Sequence, residues 1–155
     1  MKRPNMLGDS RTKPMEILLV EDGLMDARVT IHALRSSGVH HRVTLCRNVA
    51  ETMKFLRREG VFARAPTPDL LLLDMMLPDG TGIDILEMLP EIPKNRLGLT
   101  TVVLTAADDP ALKARCEELQ VNDYIAKPVS EAEFLRVVRN QKTLMVHSTP
   151  TLASV

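Results

Sequence analysis

Leu70-Leu71-Leu72-Leu73-Asp74, followed at once by Met75-Met76-Leu77-Pro78-Asp79-Gly80, restricts the fold more than any other stretch of the chain. A continuous apolar run this short, closed by turn formers, predicts a strand buried on both faces of a parallel sheet. A carboxylate ending such a strand stands at the C-terminal edge of the sheet, where ligands of open α/β folds bind. Asp74 alone would merely start a turn. Its meaning comes from the residues that the other strands bring to the same edge.

The flanking sequence supplies those strands. Glu16-Ile17-Leu18-Leu19-Val20-Glu21-Asp22 repeats the pattern of an apolar run closed by carboxylates and predicts the first strand. A helix follows from Met25 to Ser37, stopped at Ser36-Ser37-Gly38. Arg42–Cys46 is a short second strand, and Asn48 with Glu51 forms a capping box that opens a helix through Arg58, ended by Gly60. Glu59 to Pro68 is a longer connection than a compact unit needs. After the leucine strand, Thr81 or Gly82 starts a third helix, broken by Pro90 and Pro93. Thr101–Thr105 is strand four, and Asp109-Pro110 gives the cap and first turn of a fourth helix. Val121–Ala126 is strand five. Ser130 and Glu133 form another capping box for a last helix reaching about Lys142. Five strands alternating with five helices predict an α/β, doubly wound, five-stranded parallel sheet of order 2-1-3-4-5, the flavodoxin-like arrangement. Residues 1–15 read as a flexible lead-in, 16–142 as the one folded domain and 143–155 as a tail.

Bulk properties narrow the function. The chain has 155 residues, enough for one domain with a proper core, and its twenty acidic and twenty basic side chains balance. Without a basic excess, binding to nucleic acid or an anionic membrane has no electrostatic drive. No apolar run approaches the roughly 20 residues of a bilayer span. The N-terminus has no signal-peptide core, and Cys46 and Cys116 stand alone, which predicts reduced thiols and a cytoplasmic location. His32, His40, His41 and His147 show no ligand spacing with the carboxylates.

The predicted topology sends Glu21 and Asp22, Asp74, Thr105 and Lys127 to one edge of the sheet. Three carboxylates crowded there shift one another's pKa or recruit a cation. Hard oxygens suit octahedral Mg²⁺. An ammonium and a hydroxyl at the same spot complete the charge neutralisation that phosphoryl transfer to a carboxylate needs.

These residues carry a resemblance. Ile17–Asp22 (ILLVED), Leu72–Gly82 (LLDMMLPDGTG), Val102–Ala106 (VVLTA) and Asp123–Val129 (DYIAKPV) are similar to the motifs of the receiver domain of two-component response regulators. The likeness extends roughly from Met15 to Lys142. It implies that Asp74 accepts a phosphoryl group from a histidine kinase, and that Glu21, Asp22, Asp74 and the backbone carbonyl of Met76 hold Mg²⁺. It also implies that Lys127 pairs with the acyl phosphate, that Ala106 lines the phosphate pocket, and that Thr105 and Tyr124 act as a coupled switch. The Lys127-Pro128 bond is expected to be cis. Such a chain catalyses its own phosphorylation and dephosphorylation rather than turning over a substrate. Met76 and Ala107, two residues beyond Asp74 and Thr105, are both apolar and cannot orient a hydrolytic water, which predicts a long-lived phosphorylated form.

With no further domain after Lys142, signalling to an unknown downstream protein is expected through the face of helix four, strand five and helix five. The long Glu59–Pro68 connection and the tail are similar to those of regulators that partner phytochrome-type kinases. In those regulators this face forms homodimers, to which Leu144-Met145-Val146 would add apolar area. Two other roles stay open: an intermediate carrier in a phosphorelay, and a Mg²⁺-dependent aspartyl-phosphate phosphatase of the haloacid dehalogenase type. The second needs an acid two residues after the nucleophile, where Met76 stands. No phosphate-binding G-x-x-x-x-G-K-[ST] loop follows any strand.

Overall fold

In the computed structural model, which describes residues 13–92, 99–106 and 109–145, Leu70–Asp74 is the middle strand of a five-stranded parallel sheet. The strands are β1 (Met15–Val20), β2 (His41–Cys46), β3 (Leu70–Asp74), β4 (Thr100–Thr105) and β5 (Asp123–Ala126), in the order β2-β1-β3-β4-β5. This is the doubly wound order that the sequence predicts. The four leucines are fully buried and divide between two cores. Leu70 and Leu72 face Ile17, Leu19, Val102 and Phe134 on one side, while Leu71 and Leu73 face Leu18, Val20, Ile85 and Cys116 on the other. Alternation along the strand therefore delivers apolar side chains to both faces, and the carboxylate that ends the run is left at the rim.

The helices are α1 (Leu24–Ser36), α2 (Val49–Arg57), α3 (Gly82–Met88), α4 (Pro110–Glu118) and α5 (Glu131–Asn140). A short α6 (Lys142–Met145) follows. Thr81 caps α3 in a full capping box with Asp84, and Asp109 caps α4 ahead of Pro110. The two predicted glutamate boxes do not close. Asn48 and Ser130 accept from the backbone N–H groups of Glu51 and Glu133 as expected. Glu51, however, takes the backbone N–H of Arg47, and Glu133 takes the Arg136 guanidinium. A long carboxylate goes to whichever donor is nearer or charged. α2 ends on Arg58 in the left-handed region (φ 59°) rather than on a glycine. Gly60 (φ 59°) instead opens a 3-10 turn whose Phe62 ring packs edge-on against Phe55 at 5.4 Å.

Both ends of the predicted domain shift. Met15, placed in the lead-in by the sequence, is fully buried in β1 and donates its N–H to the His40 carbonyl. Leu144, read as part of the tail and as dimer area, is fully buried against this chain's own core, and Thr143 Oγ1 lies 3.1 Å from Thr100 Oγ1. Burial of one leucine favours an added helical turn over an extended tail. Val146 lies outside the described residues, as do Pro93, Ala107 and His147. Among the described residues no helix is long and apolar enough to cross a membrane.

The Pro78-Asp79-Gly80 turn does more than reverse the chain. Asp79 accepts the free N–H groups of Val49 (2.7 Å) and Ala50 (3.0 Å) at the start of α2, so the loop after β3 is fastened to that helix. These bonds hold the Asp79 carboxyl below its usual range. Asp79→Ala is expected to cost about 1 kcal/mol in denaturant unfolding near neutral pH, as for other lost caps. A depressed folded-state pKa contributes stability above the unfolded value and loses it as pH falls through the folded one. The difference between variant and parent should therefore shrink on acidification below the unfolded Asp79 value.

Candidate functional site

The parallel register brings the strand ends together. Val20 pairs with Leu73, Asp74 with Leu104, and Thr105 with Ala126, so the residues that follow each strand share one edge. The chain leaves β5 through Lys127, whose N–H donates to the Thr105 carbonyl (2.7 Å), and the Lys127-Pro128 bond is cis. The Lys127 side chain turns back over the edge. Its Nζ lies 2.7 Å from Glu21 Oε1 and 3.3 Å from Asp74 Oδ1. The structure thus brings Glu21, Asp74 and Lys127 together in one cluster.

Electrostatics in this cluster are those of a nearly buried charge group. Burial raises the Glu21 carboxyl above its usual range, against the pull of Lys127 and of the Gly23 N–H, which donates to Oε2 at 3.1 Å. Burial alone would depress the Lys127 ammonium. Hydrogen bonding to Glu21 and the charges of Asp74 and Glu21 outweigh it and leave the lysine above its ordinary value, so it is a firm cation. Met76 donates its N–H to Asp74 Oδ1 at 3.4 Å, while its side chain points to solvent.

Asp22 stands apart. Its side chain is half exposed, with Oδ1 3.8 Å from the Arg47 guanidinium, which also donates to the Asp22 carbonyl at 3.0 Å. For this reason no three Asp, Glu, His or Cys side chains among the described residues close on one point tightly enough to enclose a metal by themselves. The donor set nevertheless fits a hard cation. Glu21 Oε1 is a buried anionic oxygen whose close neighbour is the Lys127 ammonium, so a cation is already the partner this position takes. Mg²⁺ is commonly held by one or two carboxylates, with water and phosphate oxygens completing the shell, and needs no all-protein cage.

Thr105 and Tyr124 lie beside the cluster rather than in it. Thr105 ends β4, half-buried, with Ala106 exposed after it. Thr105 and Tyr124 line a cavity of about 80 Å³ with Lys113, Cys116 and Leu112. The Tyr124 hydroxyl donates to the Lys113 carbonyl (3.3 Å), and Lys113 Nζ sits 5.3 Å from the ring centroid. The tyrosine is thereby fastened to α4. On the outer side of β5, Arg136 of α5 donates to the Tyr124 carbonyl and to the Asp123 carboxylate, both at 2.9 Å.

Three side chains at or near the site went unnoticed in the sequence: Asp26, whose Oδ2 lies 3.2 Å from Lys127 Nζ, Arg47 and Asp79. The only local signal for Asp26 was a carboxylate in a first helical turn, which serves the helix dipole equally well.

Comparison with known proteins matches this arrangement. A family model, the response regulator receiver domain, fits residues 17–139. Response regulator Rcp1 of Synechocystis sp. is 30% identical over 133 residues, covering 86% of this chain and 90% of that protein. The crystal structure of the phosphorylated cyanobacterial phytochrome response regulator RcpA superposes with a TM-score of 0.70 at 33% identity, covering 82% of this chain and 90% of the other. The Mn(2+)-bound form of Rcp1 gives a TM-score of 0.69 at 28% identity over 86% of this chain and 95% of that one. A sheet of this order, with a lysine clasping two strand-end carboxylates and a family model spanning nearly the whole described chain, makes the protein a member of the response regulator receiver domain family.

Proposed function

We propose that Asp74 is the residue through which this receiver works, taking a phosphoryl group from the phosphohistidine of a sensor histidine kinase. A carboxylate oxygen of Asp74 forms the new P–O bond as the P–N bond to the kinase imidazole breaks and the electron pair leaves with the imidazole. The observation that carries the assignment is the placement of the Lys127 ammonium 3.3 Å from Asp74 Oδ1, at the end of the leucine strand. Asp74 is nearly buried, so competing water is scarce. Glu21, Asp22, Asp74 and the Met76 carbonyl are the residues that would hold Mg²⁺, which supplies neutralisation of charge on the transferring group. The buried carboxylate of Glu21 beside that of Asp74, and the Mn(2+)-bound form of the relative Rcp1, support a divalent cation there.

After transfer, Lys127 pairs with the phosphoryl oxygens and Ala106 lines their pocket. The Thr105 hydroxyl turns toward them, and the space it leaves lies next to the ring of Tyr124. Movement of that ring biases the face formed by α4, β5 and α5 between two arrangements. A downstream protein reads that face, in the cytoplasm. The likeness to RcpA, a phytochrome response regulator, favours a phytochrome-type kinase as the donor. Homodimerisation through the same face would be polar in character. Leu144 is committed to this chain's own core, and of the large apolar side chains exposed among the described residues only Met145 follows β5. Sedimentation at high concentration, with and without a phosphate mimic, decides this point: a monomer in both removes the dimer.

The test of acceptor chemistry is intact-protein mass after incubation with acetyl phosphate. One added phosphoryl group with Mg²⁺, and none with a chelator, is the expected result; no gain with Mg²⁺ in folded protein overturns the proposal. The phosphatase alternative is not favoured, since Met76 offers no acid and its side chain is solvent-exposed. Met76, together with Ala107, carries a further expectation. Neither side chain can hold a hydrolytic water, so Met76→Asn combined with Ala107→Glu should speed loss of the phosphoryl group several-fold. Unchanged decay of the phosphorylated mass would remove that account of its lifetime.

A further inference from the structure

Lys127 has three carboxylate neighbours, and the acceptor chemistry accounts for two. The third is Asp26, in the first turn of α1, with Oδ2 3.2 Å from Nζ. Asp26 accepts a hydrogen bond from the ammonium at that distance, while Glu21 Oε1 lies nearer, at 2.7 Å. A second observation sets Asp26 at the solvent-exposed border of the site. A Cβ added to Gly23 would lie 3.5 Å from Glu21 Oε2 and 3.8 Å from Asp26 Oδ2, so the two carboxylates flank the same glycine. The ammonium is therefore drawn two ways. Inward lie Glu21 and Asp74, nearly buried; outward lies Asp26, 57% exposed.

We infer that Asp26 is a positioning residue that draws the Lys127 ammonium toward the outer rim of the site and so limits its competition with a divalent cation for Glu21 and Asp74. The inference rests on the proposed function, which gives those two carboxylates to the cation. Two cations cannot share the same pair of oxygens without strong mutual repulsion in a nearly buried setting. The flexible lysine stem lets the ammonium shift while staying near Asp74. An exposed partner suits this task because such a pair is weak and is surrendered readily when a more strongly charged phosphoryl group arrives. Asp26 acts through its contact with Lys127 and is assigned no part in the transfer itself.

The experiment is calorimetric measurement of Mg²⁺ binding to the full chain, without phosphoryl donor. Asp26→Asn is expected to raise the dissociation constant about two- to fivefold, the range set by a partly exposed ion pair. Asp26→Glu should restore most of the affinity, and the melting curves of the two Asp26 variants should superimpose on that of the parent. In a Lys127→Ala background, Asp26→Asn should change nothing, because the competitor is gone. Equal weakening in both backgrounds would overturn the inference and make Asp26 a direct contributor to the cation's field. Unchanged binding in the Asp26→Asn single variant overturns it outright. A parent chain that binds no Mg²⁺ would overturn the proposed function and this inference with it, so the two failures are distinguishable.

Discussion

Asp74→Asn is expected to gain no phosphoryl mass from acetyl phosphate and Mg²⁺ under conditions that phosphorylate the parent completely. The geometry makes this a clean substitution. Asp74 is nearly buried, and its Oδ1 meets two donors, the Met76 N–H at 3.4 Å and the Lys127 ammonium at 3.3 Å. An amide oxygen of the same shape keeps both contacts, so folding should survive. What is lost is the anionic oxygen, without which no P–O bond forms. Lys127 retains Glu21 and Asp26 as counter-charges. Full loss of phosphorylation with an unchanged melting curve is the result to look for. A phosphoryl group still acquired by Asp74→Asn would place the acceptor elsewhere.

Gly82→Ala is expected to destabilise the protein by about 1–3 kcal/mol, the usual cost of forcing an extra methyl into a packed site. A Cβ at Gly82 would collide with the terminal methyl of Met75 and lie 2.9 Å from the carbonyl oxygen of Asp74. The Met75 methyl can swing aside. The carbonyl cannot, because it belongs to the main chain that carries the acceptor, and Gly82 is tied to that turn by its N–H bond to the Met75 carbonyl at 3.0 Å. Phosphorylation by acetyl phosphate should slow along with the loss of stability, as the acceptor is displaced. The two clashes separate experimentally. Adding Met75→Ala should relieve part of the unfolding cost but leave phosphorylation slow. Complete recovery of both would show that the backbone contact is not limiting.

What could be read in the sequence follows a physical division. The leucine strand was legible because four consecutive apolar residues can all be buried only when both faces of a sheet are covered, and all four are. The cap at Asp109 was legible because donor and acceptor are three residues apart, whereas at Thr81 only the start of the helix was read and not its bond with Asp84. The glutamate boxes at Asn48 and Ser130 were over-read. Glu51 and Glu133 have the right spacing, but spacing does not record that the Arg47 N–H and the Arg136 guanidinium compete for them. Asp26 and Asp79 were invisible for a different reason. Their partners lie 101 and 30 residues away, and each side chain has an adequate local reading of its own. Leu144 was missed likewise, since nothing near it signals the core that receives it.

Arg136 has a consequence for how this protein can be read by others. β5 is an outer strand of the sheet, the place where a foreign extended segment would ordinarily attach by main-chain pairing. Here the guanidinium already holds the Tyr124 carbonyl and anchors itself on Asp123. A visitor seeking to lengthen the sheet meets an arginine in place of a vacant acceptor. In the proposed reading of this face, recognition at this border would fall largely to side chains, Tyr124 among them. If Tyr124 is the switch proposed above, a small rotation of its ring would change what such a partner meets.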